Sequence, residues 1–271
     1  MPNDIYATGV AAKLKRATDL IVELKRALTA YLAKEPFKVE TRAQSDGAED
    51  MIFRLKLDVP GEIPAILGDV VHNMMSALDH LVYHLALRGS ASPEQLGNLY
   101  FPTSTTKQEF ELGPLKRLAG LKLAERDLIA SFEPYGGGRG AILHGLKKLD
   151  ILDKHKLILP VVTSAERLRI GVPAPADGQT FTISARVRAR YPLRDGDTVM
   201  SNVSVRTADH GITGGAFSLV FDDETRFGGQ PIFDVVIAIR KMVCDVVNAC
   251  QLALPDDWRY RPDDEPAAGD P

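Results

Sequence analysis

Between Ile63 and Leu87 the chain holds His72, His80, His84, Asp69, Asp79, Asn73, Ser76 and Tyr83, but no Lys, Arg or Glu. On a helix turning about 100° per residue, these polar residues share one arc. Ile63, Leu67, Val70, Met74, Ala77, Leu78, Leu81 and Leu85 share the other. A solvated helix face is normally rich in Lys, Arg and Glu, which are both soluble and good helix formers. The polar arc is therefore expected to be partly buried and hydrogen-bonded. Its imidazoles and carboxylates are the groups that move protons near neutral pH.

A second helical stripe, Ile142, Leu146 and Leu149, continues four residues on to Asp153. A carboxylate aimed at a core persists only with a partner, and the expected partner is His80. The pair is either a structural buried contact or an acid/base couple, in which Asp153 orients His80 and Asp79 is a further catalytic candidate. His72, Asn73, Ser76, Tyr83 and His84 would then serve as binding groups.

Metal ligation is a third reading, because His80 and His84 stand one helical turn apart and His72, Asp79, Asp153 or His155 could add a ligand. Leu81 occupies the place of the acid in an HExxH motif, which excludes that metalloprotease signature. Neither a metal nor any other cofactor is identified by the sequence. Gly136 to Gly140 lacks the Lys-Ser/Thr of a phosphate-binding loop and is expected to be a flexible connector. Arg186, Arg188 and Arg190 fall on one strand face without interleaved aromatics, which favours a solvated surface over an RNA contact.

The elements that must position these groups are legible from periodicity. Val10, Leu14, Ala17, Ile21, Leu24 and Leu28 mark a first helix, from Ile5 to Lys34. Phe37 to Thr41 and Met51 to Val59 flank a Ser45-Asp46-Gly47 turn, and Phe53, Leu55, Leu57 and Val59 alternate with polar residues, as in a β-hairpin. The second helix runs to about Arg88, and the third from Ala141 to Leu157. Between Val161 and Phe227 the period switches to two, which predicts an inserted antiparallel sheet before a fourth helix over 228–254. The polar, proline-rich stretch from Pro255 to Pro271 is expected to be disordered.

Four helices with one apolar stripe each pack most economically as an up-and-down bundle. The expected architecture is α+β: a helical bundle over 1–160 carrying a hairpin at 36–59, a β insertion over 161–227, and the last helix. Lys and Arg total 33 against 36 Asp and Glu, and the isoelectric point is near 6.1. That balance argues against a general grip on DNA or anionic lipid and leaves a local basic patch open. Cys244 and Cys250 read as reduced core residues. Met1 to Lys15 has no signal-peptide core, and no run of about 18 apolar residues occurs, so the expectation is a cytoplasmic protein without a membrane partner.

The run from Gly68 to Leu81, Gly-Asp-Val-Val-His-Asn-Met-Met-Ser-Ala-Leu-Asp-His-Leu, resembles a family of uncharacterised bacterial proteins whose second helix reads G-D-x-x-H-N-L-R-S-A-L-D-H-L. The likeness continues through Phe101-Pro102, Glu133-Pro134-Tyr135 and the third helix from His144 to Lys156, where Asp153-Lys154-His155-Lys156 stands for a D-K-H-R signature. It adds His144, Lys154 and His155 to the binding candidates. That family is similar in outline to the HEPN superfamily of helical bundles, many of which are dimeric, metal-independent ribonucleases with an R-x4-6-H motif. The resemblance implies a homodimer and a phosphate-bearing partner such as RNA or a nucleotide. Met75 stands where the motif carries its arginine, and an uncharged thioether cannot stabilise a phosphorane as a guanidinium does. From its place at the edge of the apolar arc, an arginine substituted at Met75 would be expected to snorkel outward.

Together these features predict a binding or regulatory module without catalysis. A hydrolase of RNA or a nucleotide using His80 and Asp153 is the first alternative, and a metal-binding protein using the second-helix histidines is the other.

Overall fold

The computed structural model describes residues 3–45, 47–158, 160–164, 167–173, 180–186, 192–203 and 217–250. Arg188, Arg190 and the tail from Pro255 lie outside the described residues. The architecture is α+β. In chain order the elements are α1 (Asn3–Leu32), β1 (Phe37–Ala43), β2 (Glu49–Leu55), α2 (Glu62–Arg88), α3 (Pro93–Gly97), α4 (Lys107–Leu112), a 3-10 turn (Pro114–Gly120), α5 (Leu123–Ser131) and α6 (Ala141–His155). There follow β3 (Pro160–Ser164), β4 (Arg167–Pro173), β5 (Thr180–Arg186), β6 (Thr198–Val203), β7 (Phe217–Phe221) and α7 (Ile232–Ala249). No helix among the described residues is long and apolar enough to cross a membrane.

The chain divides into two units. The helical unit takes α1 up to Arg26, the segment Pro64–Ile158 and the chain from Phe233. Its contacts along α2 fix the direction of α6. Gly68 meets Asp153, His72 meets Asp150, and Asp79 lies in the field of Lys147. Rising numbers on α2 match falling numbers on α6, so the two helices are antiparallel. α1 reaches α2 at Gly9, where an added Cβ would stand 2.8 Å from His80 Nδ1. α7 meets α1 through Arg240 Nε, which donates to Thr18 Oγ1 at 3.1 Å, and Lys25 Nζ stands 5.7 Å from the centre of the Phe233 ring.

α2 is buried more widely than one stripe. Besides the eight expected core residues, Val71, Met75, Val82 and Ala86 are sealed off. Cys244 and Cys250 are free thiols inside the core, and burial pushes both pKa values up, that of Cys250 to about 11.

The β unit takes Ala27–Ile63 and Leu159–Ile232. The hairpin β1–β2 forms as expected, with Phe37 opposite Leu55, but β2 also pairs with β6, giving the order β1-β2-β6. The hairpin is thus part of the β unit. As the middle strand, β2 buries Met51, Ile52 and Phe53 consecutively, so the alternation expected through Val59 does not hold. The strand stops at Leu55, and Leu57 is exposed. The expected inserted sheet is instead two separate antiparallel pairs, β3–β7 and β4–β5, besides β6. Ring contacts at 5.0–5.8 Å tie Phe37, Phe53 and Phe217 together.

Candidate functional site

α6 carries its buried acid one helical step from the expected place. Leu143, Leu146 and Asp150 follow the three-and-four spacing of a helix stripe, and Asp150 is only 2% exposed. Its Oδ1 accepts from His72 Nδ1 at 3.1 Å, its Oδ2 accepts from Lys154 Nζ at 2.8 Å, and Lys147 Nζ stands 3.7 Å from Oδ2. Burial by itself would raise this carboxyl, but the hydrogen bonds from Lys154 and His72 outweigh it and hold its pKa below the usual carboxylate range. A second-helix histidine does pair with a buried acid of α6, but the pair is His72, itself exposed, with Asp150. The expected pair of His80 with Asp153 is not formed.

The reason is helix geometry. Asp153 lies over Gly68, whose absent side chain leaves room for the carboxyl: a Cβ there would stand 2.5 Å from Asp153 Cγ. Burial and the nearby charges of Asp69 and Asp150 raise the pKa of Asp153. His80 lies about 120° round the helix from Gly68, at about 100° per residue, and faces Gly9 of α1 instead. Burial, then the charge of Lys13, lowers its pKa and favours the neutral ring.

The other candidates fall into place around this pair. Asp79 accepts a 2.8 Å hydrogen bond from the Phe101 amide and so anchors the Phe101-Pro102 segment; burial raises its pKa while that bond opposes the rise. Asn73 Nδ2 donates to the Asp69 carbonyl at 2.8 Å, and Ser76 Oγ lies 3.4 Å from His72 Nε2. His84 is buried and Tyr83 partly so, while His155 is exposed near the end of α6. Among the described residues no group of three His, Cys, Asp or Glu is placed to hold a metal ion. Met75 is 1% exposed, so an arginine there would be buried rather than snorkelling to solvent; the continued apolar run Val71, Met75, Val82 puts this side of α2 in the core.

The Phe101-Pro102 segment, held by Asp79 and by the Glu133-Pro134-Tyr135 turn, lines a cleft. Ser104 N donates to the Pro134 carbonyl at 3.3 Å, and Gly136 N donates to the Ser104 carbonyl at 3.1 Å, joining the Phe101 segment to Tyr135. The Phe110 and Tyr135 rings pack at 5.6 Å behind them. The Gly136 to Gly140 stretch is a tight turn and not the loose connector expected. Glu133 holds φ 52°, its side chain accepts from the Arg139 amide at 3.2 Å, and the Arg139 guanidinium donates to the Ser131 carbonyl.

The cleft so formed encloses about 660 Å³. Its charged wall residues are Arg117, Lys147, Lys148, Lys154 and Glu109, alongside His144, Tyr100 and Ile151. Lys147 stands 5.6 Å from the centre of the Tyr100 ring, and that ring is 54% exposed. Four cations and one carboxylate line it, two of the cations, Lys147 and Lys154, also contacting Asp150, and its volume is usual for small-molecule pockets. His144 and Lys154 were legible beforehand; Arg117, Lys147, Lys148, Tyr100 and Asp150 were not. Lys147 and Lys154 stand three before and four after Asp150, the spacing that puts both on its helix face.

No protein-family model matches the chain, and no curated protein or solved structure is significantly similar to it.

Proposed function

We propose that this chain is a binding or regulatory module, built on a HEPN-like helical bundle, whose cleft takes a phosphate-bearing ligand of nucleotide size without cleaving RNA. The observation that carries the reading is the cationic wall of Arg117, Lys147, Lys148 and Lys154. The exposed ring of Tyr100 and the exposed side chain of Ile151 offer an apolar surface for a base beside it. The burial of Met75 supports the absence of RNA cleavage, since the position that carries the arginine in the related motif faces the core.

Titration with AMP, ADP and inorganic phosphate tests the reading by calorimetry, at low and then at high salt. Binding is expected at low salt and should weaken as salt screens the lysines. Lys148→Glu and Arg117→Glu, which leave the Asp150 contacts intact, should each weaken it more than about tenfold. Each reversal removes an attraction and adds a repulsion of about 1 kcal/mol at ~4 Å in water. Binding unchanged by both reversals would remove the cleft as the site.

The same HEPN-like reading carries a homodimer. Light scattering at micromolar concentration is expected to give twice the 29.6 kDa chain mass. A mass that stays at one chain across dilution would contradict it.

A further inference from the structure

Three side chains stand in series where α2 and α6 meet. Asp150 Oδ1 lies 3.1 Å from His72 Nδ1, and His72 Nε2 lies 3.4 Å from Ser76 Oγ. Asp150 is held in its ionised form, so it accepts and Nδ1 carries the proton. In the neutral ring the lone pair is then on Nε2, facing the serine hydroxyl. Lys154 and Lys147 occupy the other carboxylate oxygen, which fixes the acid in place. The His72 side chain is 50% exposed and Ser76 is partly exposed, so a substrate can reach both. The order nucleophile, base, orienting acid is the one that activates serine on unrelated folds. Such contacts are often long in the unliganded protein and tighten once substrate is bound.

We propose that Ser76 is a nucleophile activated by His72, with Asp150 as the positioning residue, and that the site hydrolyses carboxylic esters. Ser76 Oγ forms a bond to the acyl carbon as its proton passes to His72 Nε2. The ester C–O bond breaks, and the imidazolium returns the proton to the departing oxygen. Water, deprotonated by the same ring, then attacks the acyl-serine, and Ser76 leaves with its proton restored. This activity is distinct from the ligand binding proposed for the cleft, although Lys147 and Lys154 border both sites.

The test uses the full chain with 4-nitrophenyl acetate, following nitrophenolate release and locating the acetyl group by peptide mass mapping. The expected result is acetylation of Ser76, with release slowed by about a hundredfold in both Ser76→Ala and His72→Gln. Asp150→Asn is expected to lower kcat with KM unchanged, which loss of folded protein alone would not reproduce at equal active-site concentration. Ser76→Ala removes one partly exposed oxygen and keeps the fold, so the outcome stays readable. Absence of release by the wild type, release unchanged in Ser76→Ala, or acetyl groups confined to lysines would each overturn the proposal.

Discussion

Gly140→Ala is expected to lower the stability of the helical unit by about 3 kcal/mol, the upper end of ordinary overpacking. Gly140 is buried at the start of α6, and an added Cβ would overlap the Phe132 carbonyl oxygen and stand 3.3 Å from the Glu133 carbonyl oxygen. Both obstacles are backbone, so neither can swing aside as a side-chain tip would. The loop has little freedom to retreat. The Ala141 amide donates to Gly138 O at 3.0 Å, Gly138 N donates to Tyr135 O at 3.0 Å, and Glu133 already sits at a left-handed φ. Because the same turn fixes Tyr135 beside Ser104, the substitution should also distort the cleft wall. Denaturant midpoints decide the matter. Gly97→Ala, which meets no atom within 4 Å, is the control and should change stability by less than about 0.5 kcal/mol. A Gly140→Ala protein as stable as that control would mean the glycine stretch is a loose connector after all.

Much of this arrangement was legible from residue spacing, and the parts that were not share a physical cause. The long helices announce themselves because one apolar stripe in every three or four residues has few other uses. For strand β2, alternation predicts one wet face, whereas the pairing with β6 that buries both faces is a contact far away in the sequence. The polar arc of α2 is partly covered at Asn73, Ser76, Asp79, His80 and Tyr83 and buried at His84, while Asp69 and His72 are exposed. Which histidine meets which acid depends on the rotation of one helix against another. Gly68 and Gly9 decide that rotation by letting Asp153 and His80 lie close against the neighbouring backbone. A glycine inside a helix is the available signal for such close approach. The cleft was hidden because Arg117, Tyr100 and the α6 lysines converge only in the fold.

Asp150→Asn is expected to destabilise the protein at neutral pH by about 1–2 kcal/mol. The figure is smaller than for a fully buried pair, because the side chains of His72 and Lys154 stay half in water and are rehydrated when the acid is lost. The direction with pH follows from the lowered carboxyl of Asp150. A carboxyl bound less tightly by protons in the folded chain than in the unfolded one contributes its full stability above the ordinary carboxylate pKa of about 4. That contribution disappears as the pH falls through the lower folded value. The part of the gap between wild type and Asp150→Asn that comes from the lowered carboxyl should therefore close as the pH falls below about 5. Asp153→Asn should behave in the opposite sense. Its carboxyl is raised in the folded chain by burial and by Asp69 and Asp150, so removing the charge should stabilise the protein at neutral pH, and that gain should vanish below about pH 4. Urea midpoints for the two variants across pH 3 to 7 make the comparison. If Asp153→Asn is the variant that loses stability at neutral pH while Asp150→Asn is neutral, then the inward acid of α6 is Asp153 and the His72–Asp150 contact does not hold the helices together.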